Sequence, residues 1–310
     1  MIYIGRFAPS PTGPLHFGSL VAAVASYLEA KSNQGKWLVR MEDLDKPREM
    51  PEAASGILQT LEAYGFEWDN EVVYQSQRSP FYQDALEEIK SQSLIYACSC
   101  SRKEIADSAS HGIEGLIYPG TCRHLQRTSS VFSSHPSSLP SPAASRPSSL
   151  RIKVNDDLIT FDDAIQGFQQ QQLQRDIGDF VLKRADNIFA YQLAVVVDDA
   201  LQGITHIVRG ADLLISTPRQ IYLQGVLGYS QPQYAHVPLA INHNGEKLSK
   251  QTLALPLKTE HAPDQLWRAL AFLGQQPPAV LKDANLGEIW QWAQQHWQIK
   301  NVSPHNALAT

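Results

Sequence analysis

The chain has 310 residues, 43% of them apolar and 18% charged, with a formal net charge of −5 at pH 7. That length allows two domains and a sizeable core, and the balance excludes a disordered or fibrous chain. The negative charge excludes a general attraction to nucleic acid, so any RNA binding must use a local patch. No long apolar run is present, so no membrane span is expected. Residues 1–6 begin a strand rather than a signal peptide. A cytoplasmic protein is expected. Three cysteines, an odd number, point to a metal site or free thiols rather than a disulfide framework.

In chain order, Ile2, Tyr3, Ile4 and Phe7 read as a short buried strand. A Pro/Gly-rich turn follows, and from Leu20 apolar residues recur at helical spacing. His16, Gly18 and Ser19 therefore sit where a strand gives way to a helix. Free backbone N–H groups and the positive end of the helix dipole make that position an anion site. Gly18 lets a ligand approach the backbone, and the His16 ring can donate to a phosphate.

Trp37–Met41 reads as a second strand, followed at once by the acids Glu42, Asp43 and Asp45. Ligands of a doubly wound sheet bind beyond strand C-termini, so Asp43 and Asp45 are candidates for organising a site. Met50–Tyr64 reads as a helix, and Ser79-Pro80 as the N-cap and first residue of the next. The alternation predicts parallel pairing. The region from Tyr96 to His124 holds Cys98-Ser-Cys100 and Cys122 without a long periodic element. Thr128–Ser149 is dominated by Ser, Pro and Ala, the composition of a mobile surface loop.

Leu150–Val154 and Leu158–Phe161, around Asn155-Asp-Asp157, predict a β-hairpin. Phe180–Lys183 and Ala190-Tyr191, around Asp186-Asn187, predict a hairpin-like pair. Gln192–Asp199 is a buried helix or strand, which periodicity does not separate. Ile204–Val208 reads as a strand ending at Arg209-Gly-Ala-Asp212, and Thr217-Pro218 as the cap of a helix. Val237–Ile241 reads as a strand, with a turn at Asn244-Gly245. Beyond it stand Lys247-Leu-Ser-Lys250, two point charges on a loop, suited to a polyphosphate whose charge shifts during reaction. Gln265–Leu273 and Leu286–Trp297 are predicted helices.

His16-Phe-Gly-Ser19 and Lys247-Leu-Ser-Lys250 together resemble the two signatures of class I aminoacyl-tRNA synthetases, in the family's order. Phe17 and Ser19 depart from the strict first signature, Leu248 and Gln251 from the second. Arg6-Phe-Ala-Pro-Ser-Pro-Thr-Gly-Pro-Leu-His16 followed by Arg40-Met-Glu-Asp-Leu-Asp45 resembles the glutamyl/glutaminyl branch, and the glutamyl side of it. The resemblance covers most of residues 1–255, apart from the Ser/Pro loop. It implies an α/β fold: a Rossmann-type core in two halves, residues 1–95 and 176–255, the second carrying the lysine loop. Between them comes an inserted zinc-binding subdomain, residues 96–175, with its Ser/Pro-rich loop at 128–149. A short helical, stem-contact-like tail, residues 256–310, follows.

The resemblance also implies the site. Arg6 and Arg209 would each hold a carboxylate of L-glutamate, and Glu42 its α-ammonium. Phe7, Ala8, Pro9 and Ser10 would line the same pocket, and Tyr191 would contact the substrate. Which arginine takes which carboxylate stays open. ATP would bind with Mg²⁺ at His16, Gly18, Ser19, Lys247, Ser249 and Lys250. Of these, His16, Lys247 and Lys250 would be catalytic. A structural zinc ion, one per chain, would be held by Cys98, Cys100, Cys122 and Tyr118, the last matching the family's fourth position. From chemistry alone His111 and His124 are rivals for that place.

Only 60 residues follow Lys250, too few for a large anticodon-binding region. The pattern resembles the truncated paralogues of this branch, which put glutamate on the cyclopentenediol of queuosine at the wobble position of tRNA(Asp). The expected partners are therefore L-glutamate, ATP and the queuosine-bearing anticodon stem-loop of tRNA(Asp), with neither DNA nor a membrane, and a monomer is expected. The rivals are a truncated glutamyl-tRNA synthetase that charges a tRNA 3′ end and a non-catalytic tRNA-binding paralogue.

Overall fold

The structure, a computed structural model, describes residues 2–123, 146–242 and 255–309. Strand β1 (Ile4–Phe7) leads through the Pro/Gly turn into helix α1 (Phe17–Ser32), and β2 (Lys36–Met41) follows. Then come α2 (Ala53–Ala63), β3 (Val73–Tyr74) and α3 (Ser79–Ser91). β1, β2 and β3 pair in parallel, with Arg6 opposite Leu38 and Met41 opposite Tyr74.

The second half of the sheet uses β8 (Leu158–Asp163), β9 (Gly167–Gln172), β11 (His206–Gly210) and β12 (Gln233–Val237), in the order β11-β12-β8-β9. Thr205 joins the halves. Its N–H donates to Ile4 O at 2.9 Å and its Oγ1 accepts the Ile4 N–H at 2.8 Å. The C-terminal ends of β1, β2 and β11 thus open on the same side, where a doubly wound sheet receives its ligand. Helix α6 (Tyr191–Leu201) packs against α3, and its buried run Leu193–Val197 is followed by the buried acids Asp198 and Asp199.

A smaller antiparallel sheet joins β4 (Ile95–Cys98), β7 (Ser149–Ile152) and β10 (Phe180–Lys183) in the order β10-β7-β4. Beyond β4 lie the short helix α4 (Arg102–Ala106) and the hairpin β5 (Ser110–Gly112) and β6 (Gly115–Ile117), and the one-turn helix α5 (Leu173–Asp176) follows β9. After β11 come α7 (Thr217–Val226), β12 and β13 (Leu239–Ile241); α8 (Ala262–Phe272), α9 (Leu286–His296) and β14 (Ala307–Ala309) close the described chain. The last two helices share one core with α1. Trp290 lies edge-on to Tyr27 and Phe66, with centroids 5.0 and 5.1 Å away, and its Nε1–H donates to Tyr64 O at 2.8 Å. β14 pairs in parallel with β13. No helix among the described residues is long and apolar enough to cross a membrane.

Several local expectations give way. The hairpin predicted over 150–161 does not form: β7 pairs with β4 and β10, while β8 turns back on β9. Asp163 makes the real turn, because its Oδ1 accepts the Ile165 and Gln166 N–H groups, and Gly167 supplies the left-handed φ of 72°. Val237–Ile241 is two strands, parted at Pro238, which has no N–H to offer a ladder. Ser79 and Thr217 lie inside their helices rather than at the caps, which are Arg78 and Ser216. Tyr191 opens α6 instead of extending the pair made by Lys183 and Phe189. Asn244-Gly245 and most of the Ser/Pro stretch lie outside the described residues; Ser149, its last residue, opens β7.

Candidate active site

One cleft of about 760 Å³ gathers Arg6, Phe7, Ala8, Pro9, Ser10, His16, Gly18, Ser19, Glu42, Tyr191 and Arg209. These are all the described residues that the sequence assigns to glutamate and nucleotide. Lys247, Ser249 and Lys250 lie outside the described residues. The chain on either side of them is at the cleft: Leu239 and Ala240 line it, and Pro256 bridges to His16 while Leu257 N–H donates to Leu15 O at 2.9 Å.

His16 is the N-cap of α1, and its Nδ1 accepts the Ser19 N–H at 3.2 Å. That bond fills one of the orphan donors of the helix start. The Ser19 N–H is therefore not among the free backbone donors of the helix start, since it serves the imidazole. A ring that accepts at Nδ1 carries its proton on Nε2, which makes it a donor.

The cations are anchored from behind. Arg6 Nε and Nη2 donate to the two oxygens of Asp199 at 3.1 and 3.2 Å. Arg40, fully buried on β2, reaches Asp199 at 2.8 Å and Glu42 at 3.5 Å. Burial opposes ionisation of Asp199, but the Arg6 and Arg40 guanidiniums overcome it and hold the carboxyl below its usual range. Asp198 receives Arg78 at 2.5 Å, Gln75 at 2.8 Å and the Tyr82 hydroxyl at 2.7 Å. At Glu42 burial prevails over the same two arginines, and the carboxyl is pushed up to about 7. Tyr191 is also raised, by burial first and then by Glu42.

Arg209 leaves the end of β11 buried. Its Nε–H donates to His236 Nε2 at 3.0 Å and its Nη2 to Thr217 Oγ1 at 2.8 Å, while Nη1 has no partner. Asp43 and Asp45 do not line the cleft. Asp43 accepts the Ser76 N–H at 2.8 Å and its hydroxyl at 2.5 Å, and Asp45 pairs with Arg48 at 2.8 Å. Their work is to hold the chain around the site. The sequence reading missed Arg40, Asp199, His236 and Asp163 as parts of the site. An adjacent acid pair closing an apolar helical run is the signal that marks Asp198 and Asp199, because buried carboxylates demand cationic partners.

Away from this cleft, the Sγ atoms of Cys98, Cys100 and Cys122 lie within 4.8 Å of one another, so the three can hold a metal ion. The Tyr118 hydroxyl lies 3.4 Å from Cys98 Sγ and 3.6 Å from Cys100 Sγ, and it accepts the Cys122 N–H at 2.8 Å. Burial and the neighbouring thiol groups push Cys100 up to about 11. Three thiol groups gathered this closely suit a soft cation, which is the chemistry of a soft-metal site. The Arg151 guanidinium lies over the Tyr118 ring, 4.0 Å from its centroid, while burial and the hydrogen bond with Cys98 push the phenol well above its usual range. His111 is exposed on β5 and outside the cluster; His124 lies outside the described residues.

A sheet that opens its strand C-termini onto such a cleft, with a His-capped helix at its edge, is the catalytic core of a class I synthetase. Residues 4–279 match the family model for the catalytic domain of class I tRNA synthetases (E and Q), and the chain belongs to that family. Among curated relatives it is 56% identical to the glutamyl-Q tRNA(Asp) synthetase of Dechloromonas aromatica, over 99% of this chain and 97% of that one. It is 54% identical to the protein of the same name from Chromobacterium violaceum, over 97% of this chain and 95% of that one. The glutamate-tRNA synthetase of Elizabethkingia anophelis shares the fold, with a TM-score of 0.76 at 23% identity, over 100% of this chain and 68% of that one.

Proposed function

We propose that this chain activates L-glutamate with ATP and transfers the glutamyl group to queuosine in the anticodon stem-loop of tRNA(Asp). The observation that carries the proposal is the single cleft in which a buried acid, Glu42, stands with Arg6, Arg209 and Tyr191 beside the His16 cap of α1. Two anchored guanidiniums and one carboxylate are the complement of an amino acid with two carboxylates and one ammonium. The queuosine acceptor follows the names of the relatives that match along nearly their whole length.

The α-carboxylate of glutamate attacks the α-phosphorus of ATP in line. The C–O–P bond of glutamyl-adenylate forms and the bond to pyrophosphate breaks. A hydroxyl of the queuosine cyclopentenediol then attacks the acyl carbon, releasing AMP. Catalysis is mostly positioning and charge stabilisation. Glu42 takes the ammonium, Arg6 and Arg209 take the carboxylates, and Tyr191 closes the pocket. His16 Nε2–H and the Gly18 backbone face the phosphates, with Lys247 and Lys250 supplying positive charge to the leaving group. Mg²⁺ would enter with ATP and would offset charge on its phosphates.

Cys98, Cys100, Cys122 and Tyr118 would hold one structural zinc ion, which would crosslink the end of β4 to the segment Tyr118–Cys122. Residues 96–175 would then form the inserted subdomain of the two-part core. Glutamate-dependent exchange of pyrophosphate into ATP without tRNA tests the activation step. Exchange with glutamate and not with glutamine or aspartate is expected; exchange with another acid alone would overturn the substrate.

A further inference from the structure

We propose that His236 and Asp163 are positioning residues for Arg209, and that the direction of the proton between them decides whether Arg209 holds a substrate carboxylate. This rests on the assignment of Arg209 to glutamate above. The three residues come from neighbouring strands. Arg209 on β11 is in register with His236 on β12, and β12 meets β8 where Tyr234 pairs with Asp163.

His236 and Asp163 are buried with Arg209 behind the cleft wall. Asp163 is fully committed. Its Oδ1 accepts three backbone N–H groups, from His236 at 3.0 Å, Ile165 at 3.1 Å and Gln166 at 2.9 Å. Its Oδ2 lies 2.6 Å from His236 Nδ1. A carboxylate so placed accepts only, so Nδ1 carries the proton and Nε2 is left bare. The bare Nε2 is what accepts the Arg209 Nε–H at 3.0 Å. Thr217 Oγ1 accepts Nη2 on the next edge of the guanidinium, at 2.8 Å. With Nε and Nη2 tied, the plane of Arg209 is fixed, and Nη1, buried and without a partner, is the edge left for a ligand of the cleft that Arg209 lines.

The opposite tautomer reverses the arrangement. A proton on His236 Nε2 would face the Arg209 Nε–H, donor against donor, and the guanidinium would have to turn. Asp163→Asn produces that state with almost no change of volume. The amide oxygen keeps the three backbone donors, and the NH₂ group then faces Nδ1, which must become the acceptor. His236→Glu offers one carboxylate oxygen to Arg209 and the other to the NH₂ group that Asp163→Asn introduces, so it should relieve the defect of Asp163→Asn.

The test uses the full chain in three forms: Asp163→Asn, His236→Glu and both together. Nitrogen shifts of the His236 ring should show Nδ1–H in the unaltered protein and Nε2–H in Asp163→Asn. The KM for glutamate in pyrophosphate exchange should rise roughly ten- to a hundredfold in Asp163→Asn. The KM for ATP should stay within about twofold, and the double variant should recover most of the loss. Equal rises in both KM values, or a double variant no better than Asp163→Asn, would reduce the pair to a structural role and overturn the proposal. So would Asp163→Asn with an unchanged KM for glutamate. An unaltered protein without glutamate-dependent exchange would instead remove the substrate assignment, and the proposal with it.

Discussion

Arg40 Nη2 lies 3.5 Å from Glu42 Oε1, with Arg40 fully buried and Glu42 nearly so. The pair is a cation shared among three acids, since Arg40 also reaches Asp199 and Asp198. Glu42 therefore receives only part of its charge, and burial leaves its carboxyl at about 7 instead of 4.5.

A pH dependence follows from that shift. Between about 4.5 and 7 the folded protein holds a proton on Glu42 that the unfolded chain has released. The contribution of this group to stability therefore falls as pH rises through that window. Glu42→Gln should be more stable than the unaltered protein at about pH 8, by one to a few kcal/mol, and similar to it at about pH 5, as read by urea unfolding. Glutamate should behave in the opposite sense. Its ammonium needs the carboxylate, so its KM should rise as pH drops below about 7, and Glu42→Gln should lose glutamate-dependent exchange. A flat stability difference across this range would contradict the assignment.

Asp199 holds Arg6 and Arg40 at once. Asp199→Ala leaves two buried guanidiniums without their shared acid, and removing one partner of a buried pair costs about 3–5 kcal/mol. Urea unfolding should show a loss of that order, and the surviving protein should bind glutamate more weakly because Arg6 loses its anchor. A loss below about 1 kcal/mol would mean that Asp199 is only a surface-grade partner.

The cysteine cluster makes a separate prediction. The purified chain should contain about one zinc ion, and Cys100→Ser should contain none, by elemental analysis. Tyr118→Phe keeps the ring under Arg151 but removes the oxygen beside the thiols. It should retain metal while yielding it faster to a chelator. If Tyr118→Phe holds zinc as firmly as the parent, the phenol is a hydrogen-bonding neighbour and not a ligand.

The sequence discloses the cleft more fully than the framework behind it. Arg6, Glu42, Tyr191 and Arg209 lie far apart in the chain and meet in one cleft; the family resemblance marks them, whereas local patterning reads Tyr191 as part of a strand pair and not as the start of a helix. Arg6 reads as a cation for a substrate carboxylate, and its protein partner, Asp199, is 193 residues away. Nothing local to either residue carries that contact. His236 and Asp163 are separated by 73 residues and are silent for the same reason. The mistaken hairpin over 150–161 has another cause. Asn155-Asp-Asp157 has turn chemistry, but the partner β8 takes is β9, whose run Gln169–Gln172 has little strand propensity. Tertiary pairing overrode the local signal there, and a glycine with positive φ at 167 fixed the turn instead.

The most direct measurement is transfer of radiolabelled glutamate, with ATP, to tRNA(Asp) anticodon stem-loops that do or do not carry queuosine. Label should appear on the queuosine-bearing stem-loop, and be absent from its unmodified counterpart and from the 3′ end of tRNA(Glu). Equal labelling of both stem-loops, or charging of the tRNA(Glu) 3′ end, would contradict the proposed acceptor.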